Sequence, residues 1–218
     1  MGSVQQRVAT TRLDDGTQIA YATAGQGPFL VYAPGWVTHL ELSWAFPPER
    51  RFFEALARGR TLLRYDKPAC GLSGPAAQPF SMELELATLA AVIRAAGAKV
   101  FDLFGTSQGA AVAASWAAAH PETVRRLVLY GGWVRGREIA APAVAEHVLG
   151  LVARHWGLGS DVLADIFAPD TDAATRTAFA RYQREACPAE SHVERIRDRL
   201  GFRSRSQVAA WFVASGSN

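Results

Sequence analysis

The 218 residues hold 23 Lys and Arg against 20 Asp and Glu, a formal charge of +3, and 49% are apolar, enough for one sizeable core. So mild a basic excess does not by itself imply a nucleic-acid partner, and no apolar run approaches the roughly 18 residues of a membrane span. Two cysteines, Cys70 and Cys187, make no disulfide framework; with no charged-then-apolar leader pattern, a soluble, cytoplasmic protein is expected.

Arg7–Thr11 and Thr17–Thr23 alternate apolar and polar residues around Asp14-Asp15-Gly16, which predicts a hairpin. Phe29–Ala33 is a continuous apolar run, as expected of a strand buried on both faces, and ends in Pro34-Gly35-Trp36. Pro47-Pro48 opens a helix running to about Arg58. Thr61–Tyr65 is the next strand, and Asp66 to Gly74 forms the loop after it. Ser81 caps a helix over Met82–Ala96 that Gly97 ends. A buried strand from Val100 leads to Gly105-Thr106-Ser107-Gln108-Gly109, and an alanine-rich helix follows as far as His120-Pro121. Arg126–Tyr130 is the last strand pattern. Beyond it only helical patterns appear, at about Ala143–Trp156, Ser160–Phe167, Asp172–Ala186, Ser191–Leu200 and Arg205–Ala214.

Strand and helix thus alternate from Phe29 to Tyr130. The pattern predicts an α/β fold, a doubly wound and mostly parallel sheet after the opening hairpin. Three parts are expected: a core over 1–138, a helical cap segment over 139–189 and a helical tail over 190–218.

The Gly-x-Ser-x-Gly stretch organises the chain. A strand running directly into a helix needs glycines at Gly105 and Gly109 so that the two can approach closely, with Ser107 on a strained turn between them. Such a turn lifts the serine hydroxyl above the sheet, and the helix N-terminus aims N–H groups at a developing oxyanion. Ser107 is therefore the candidate nucleophile and the Gln108 N–H one oxyanion donor. The loop after the third strand supplies the second in sites of this kind. Gly35 there lets backbone approach a ligand, and the Trp36 N–H is the candidate. Packing of a large aromatic is the alternative role for Trp36.

Taken together, these motifs resemble the α/β-hydrolase superfamily, in particular the hydrolase-like domains that precede a LuxR-class transcription regulator or a nucleotide cyclase. The resemblance is carried by Pro34-Gly35-Trp36-Val37-Thr38-His39-Leu40-Glu41, Tyr65-Asp66-Lys67, Gly71-Leu72-Ser73, the Ser107 elbow and Leu127-Val128-Leu129-Tyr130-Gly131-Gly132. It departs at Pro68-Ala69, where the family usually has Arg-Gly, and at Ala110, where a third Gly is common. The resemblance implies an incomplete core: two further strands, normally carrying the triad acid and histidine, are expected and do not appear. Instead, Ser191 to Trp211 is similar to the end of a LuxR-class helix-turn-helix, with its first two helices absent. A recognition helix without its scaffold is not held in the major groove, so specific DNA binding is not expected.

A hydroxyl needs a base to become a nucleophile. His120 lies about 18 Å along the helix from Ser107 and reads as structural. His39, His147, His155 and His192 remain open as the base, with His192 preferred. Glu138, after the last strand, is the preferred acid. Asp102 points away from the pocket if strand alternation holds, and Asp161, Asp165, Asp170 and Asp172 read as helix-terminal or solvated. Trp36, Trp44, Trp133 and Trp156 suggest an aromatic pocket, with Gly35, Trp44 and Trp133 as substrate contacts.

The expected function is a serine ester hydrolase for small or aromatic acyl esters, without cofactor or metal. A non-catalytic ligand-binding or regulatory module is the alternative. The missing strands leave Leu127–Tyr130 as an apolar sheet edge. A homodimer is expected to cover it, with exchange of the amphipathic helix Arg205–Ala214 between chains as one route.

Overall fold

The computed structural model describes residues 4–133 and 142–191. Its six-stranded sheet has the order β1-β2-β4-β3-β5-β6. β1 (Gln6–Arg12) and β2 (Gln18–Ala24) form the antiparallel hairpin, with Gln6 opposite Ala24 and Arg12 opposite Gln18. Gly16 makes the turn at φ 87°, a conformation that costs a residue without a Cβ little. β2 runs antiparallel to β4 (Thr61–Tyr65). From there the sheet is parallel: β4 with β3 (Phe29–Ala33), β3 with β5 (Phe101–Thr106), and β5 with β6 (Val124–Tyr130).

Helices cover both faces because β3, β4 and β5 are apolar on both. On one face Val31, Leu63 and Leu103 pack with Leu89 and Val92 of α3 (Met82–Ala96) and Val112 and Ala113 of α4 (Gln108–Ala119). On the other, Leu30, Tyr32, Leu62 and Phe104 meet Phe53 of α2 (Pro47–Leu56) and neighbouring Ala57. α3 begins where Ser81 accepts a hydrogen bond from the Leu84 N–H and ends at Gly97, in the left-handed region.

Two features differ from the sequence reading. Leu40–Ala45 forms a helix, α1, capped by His39, whose Nδ1 accepts from the Leu42 N–H at 3.3 Å. Six residues are too few to show helical periodicity in sequence. In the cap, the helix expected to run to Trp156 stops earlier: α5 spans Pro142–Arg154, His155 leaves the helical region at φ −142°, and α6 runs Trp156–Phe167. α7 (Ala173–Ala186) follows, with the Asp172 carboxylate accepting from the Thr175 N–H. The cap has its own apolar cluster of Leu149, Val152 and Leu163, and Trp36 enters it from the core.

β1 and β6, the two edge strands, are the exposed ones, and β6 is the more apolar of the two. Leu127, Val128, Leu129 and Tyr130 are all exposed, Tyr130 by 72%. Tail residues 192–218, which hold His192 and the helix-turn-helix-like stretch, lie outside the described residues. So does Glu138.

Candidate active site

The Ser107 turn is built by glycines on both sides. Ser107 has φ 55° and ψ −122°, and Ala69 is the one other described non-glycine residue at positive φ. Such a conformation costs about 1–3 kcal/mol in a residue with a Cβ and persists only where its surroundings impose it. Here α4 lies almost on the sheet. A Cβ on Gly105 would come within 2.5 Å of the Gly109 carbonyl oxygen and 2.7 Å of the Ala113 Cβ, and one on Gly109 would overlap the carbonyl oxygens of Ala33 and Pro34. Gly132 plays the same part after β6, where a Cβ would meet the Ala110 Cβ at 2.6 Å. The Ser107 N–H donates to the Tyr130 carbonyl at 2.9 Å, which ties the turn to the end of β6. The Ser107 carbonyl accepts from the Ala110 N–H as α4 begins. The first N–H groups of a helix have no partner within it, and those of α4 start at Gln108, beside the serine.

The loop after β3 faces this turn. A Cβ at Gly35 would lie 3.6 Å from the Ser107 Cβ and 3.9 Å from its Oγ. Gly35 therefore brings bare backbone up to the hydroxyl. Next to it, Trp36 is only 6% exposed, and its ring lies 5.3 Å from that of Phe167. The indole is packing in the cap, which anchors the Trp36 backbone within the loop. Packing and a backbone N–H role are thus compatible in one residue.

Gln108 has a buried support that the sequence reading missed. Lys67, with no exposed surface, donates from Nζ to Glu85 Oε1 at 2.8 Å and to Gln108 Oε1 at 3.2 Å. Lys67 comes from the loop after β4 and Glu85 from the first turn of α3. In sequence Glu85 looks like an ordinary acidic residue near a helix start. A fully buried lysine forty-one residues before Gln108 has no local signature.

A cavity of about 70 Å³ opens beside Gly35, on the α2 side of the sheet. Its walls include Tyr32, His39, Glu49, Arg64, Asp66 and Tyr182, so it is polar. Asp66 Oδ2 accepts from the Leu40 and Leu72 N–H groups, whereas Oδ1 has no hydrogen-bond partner. Burial pushes the Asp66 carboxyl above the usual carboxylate range, and it pushes that of Glu49 up to about 7 against the opposing pull of the Arg64 charge. Burial lowers the Arg64 guanidinium to about 10. Arg64 lies 3.4 Å above the Phe53 ring and bonds the Ser43 hydroxyl. Trp44 stacks near Arg64 and Arg50 and is not part of the cavity wall. Trp156 belongs to the cap cluster, and Trp133 follows β6, half-buried.

The described histidines are spread out. His39 lines the cavity and caps α1. His120 ends α4 and stacks on Trp116 with centroids 4.4 Å apart. His147 and His155 line an open surface groove of the cap together with Arg154. Asp102 sits at the far end of β5, where Arg125 grips its two carboxylate oxygens at 2.9 and 3.0 Å and holds it below the usual range. Asp161 and Asp165 pair with Arg184 and Arg176. Among the described residues no group of three or more His, Cys, Asp or Glu is placed to hold a metal ion. Nor is any described helix long and apolar enough to cross a membrane.

A mostly parallel sheet with this strand-to-helix turn at its centre and helices on both faces is the framework of a large enzyme family, and the sequence matches its model. The α/β-hydrolase fold model aligns with residues 28–202, so the chain belongs to that family. Over 122 residues it is 32% identical to the pyrrolizixenacetamide deacetylase of Xenorhabdus hominickii. That alignment spans 56% of this chain and 44% of the relative, less than half of its length. Among solved structures, an esterase from Exiguobacterium antarcticum aligns at a TM-score of 0.72 with 19% identity, covering 90% of this chain and 73% of its own. A bromoperoxidase from Bacillus anthracis gives 0.72 with 18% identity, over 88% and 73%. At such identities the two structures speak for the fold alone.

Proposed function

We propose that the protein is a serine ester hydrolase acting on small or aromatic acyl esters through an acyl-enzyme on Ser107. The observation that carries this reading is the left-handed Ser107 at φ 55° between β5 and α4, with bare Gly35 backbone facing its hydroxyl. In this reading Ser107 Oγ attacks the ester carbonyl as a base takes its proton. The N–H groups of Gln108 and Trp36 receive the negative charge on the carbonyl oxygen. The alcohol leaves with the proton, and water then releases the acid and restores the serine. His192 and Glu138 are the proposed base and acid, with His39, His147 and His155 as the other histidines within the proposal. That a relative is named as a deacetylase supports a small acyl group.

The test is a serine-reactive phosphonate together with p-nitrophenyl acetate turnover. A single adduct on Ser107 in folded protein is expected, and Ser107→Ala is expected to lose at least about 10³-fold in kcat/KM. Folded protein that forms no adduct at Ser107 would retire the proposal.

One observation favours the second reading, a ligand-binding or regulatory module. The polar cavity beside Gly35 contains a buried carboxylate oxygen without a partner. A module of that kind keeps ligand-induced thermal stabilisation in both wild type and Ser107→Ala, and neither turns over ester.

A further inference from the structure

Two buried thiols meet where the cap is tied to the core. Cys70 lies in the loop after β4 and Cys187 caps the C-terminus of α7. They are 117 residues apart in sequence, yet their Sγ atoms stand 2.8 Å from each other. That is about 0.8 Å beyond a sulfur–sulfur bond of ~2.0 Å. Both are nearly fully buried, at 1% and 2% exposure.

The backbones around them are already paired. The Gly71 N–H donates to the Ala186 carbonyl at 2.7 Å, and the Cys187 thiol to the Ala69 carbonyl at 3.2 Å. The core side is a tight loop: the Cys70 N–H bonds the Lys67 carbonyl, the Ser73 N–H bonds the Cys70 carbonyl, and Ala69 sits at φ 57°. These hydrogen bonds fix the two segments side by side, and the Sγ–Sγ approach shows that their Cβ–Sγ arms reach each other.

We propose that Cys70 and Cys187 are a covalent modification site, forming a reversible intramolecular disulfide that staples cap helix α7 to the loop after β4. With glutathione disulfide as oxidant, one cysteine thiolate attacks its S–S bond, forming a mixed disulfide and releasing one glutathione thiolate. The second cysteine thiolate then attacks the cysteine sulfur of that mixed disulfide and releases the other glutathione. The protein loses two protons and two electrons, and the glutathione disulfide gains them as two thiols. Burial makes opening of α7 the step that admits the oxidant. The staple also bears on the cavity beside Gly35, since Tyr182 of α7 and Asp66 of the same loop are both in its wall.

The test uses the full chain in its native state, incubated with glutathione disulfide and then analysed by intact mass and by thiol titration in guanidinium. The expected product is two hydrogens lighter than the reduced protein, has no titratable thiol and yields a Cys70–Cys187 linked peptide. Its thermal midpoint rises by about 5–15 °C, because the bond closes a long loop, and dithiothreitol reverses the rise. Cys187→Ser and Cys70→Ser are each expected to lose that response to dithiothreitol. The mass measurement on wild type needs neither variant to fold. Two thiols still titrating after oxidation, or glutathione adducts or disulfide-linked dimers as the product, would overturn the proposal.

Discussion

Glu49 and Lys67 show how burial turns ordinary charged residues into sensitive ones. Folded Glu49 holds its proton up to about pH 7 because burial disfavours the carboxylate. The unfolded chain releases it near 4.3. The folded state therefore binds the extra proton between those values, and stability is highest below the lower one and falls as pH rises through the upper one. Glu49→Gln, which mimics the protonated group, should be more stable than wild type by roughly 1–3 kcal/mol at pH 8, with the difference vanishing by about pH 4. Urea unfolding at the two pH values measures it. Lys67 is the opposite case, a cation with a buried partner. Lys67→Met leaves the Glu85 carboxylate buried without it, at a cost of about 3–5 kcal/mol, while Lys67→Met with Glu85→Leu should recover most of the loss. Denaturant titration of both variants decides this. An equal loss in the double variant would show that the pair is not what matters there.

At the scale of elements, the elbow depends on how close α4 comes to β3 and β5. Gly109 touches the backbone at the end of β3, so Gly109→Ala must push the helix off the sheet. The expected cost is about 3 kcal/mol or more. In the folded fraction, reaction of Ser107 with phosphonate should slow as the turn relaxes, and stopped-flow labelling beside a urea curve separates the two effects. Trp36 makes a different connection between elements. Its backbone belongs to the loop facing Ser107, while its indole sits in the α5–α6 cluster. The cap therefore holds one side of the candidate oxyanion site.

For the whole molecule, the surface that bears on assembly is β6. Its apolar residues are exposed at the sheet edge, with Val128 at 50%. Exposed apolar edges are templates for pairing. On the homodimer expectation, light scattering at micromolar concentration gives the mass of two chains and Val128→Lys returns it to one. A monomeric wild type removes the expectation.

The sequence by itself determined the sheet strand by strand from Phe29 onward, the caps Ser81 and Gly97, and the strand–serine–helix turn. Each of these is written in residues that lie next to one another: an apolar run, a capping hydroxyl, a glycine pair flanking Ser107. Tertiary structure alone decided the rest, because it joins residues that no local pattern relates. Lys67, Glu85 and Gln108 meet from a loop and two helices. Cys70 and Cys187 look like two scattered thiols until α7 folds back on the β4 loop. Trp44 reads as a pocket aromatic in the sequence and stacks by Arg64 in the fold, since which face an aromatic finds depends on the neighbours that arrive from elsewhere in the chain.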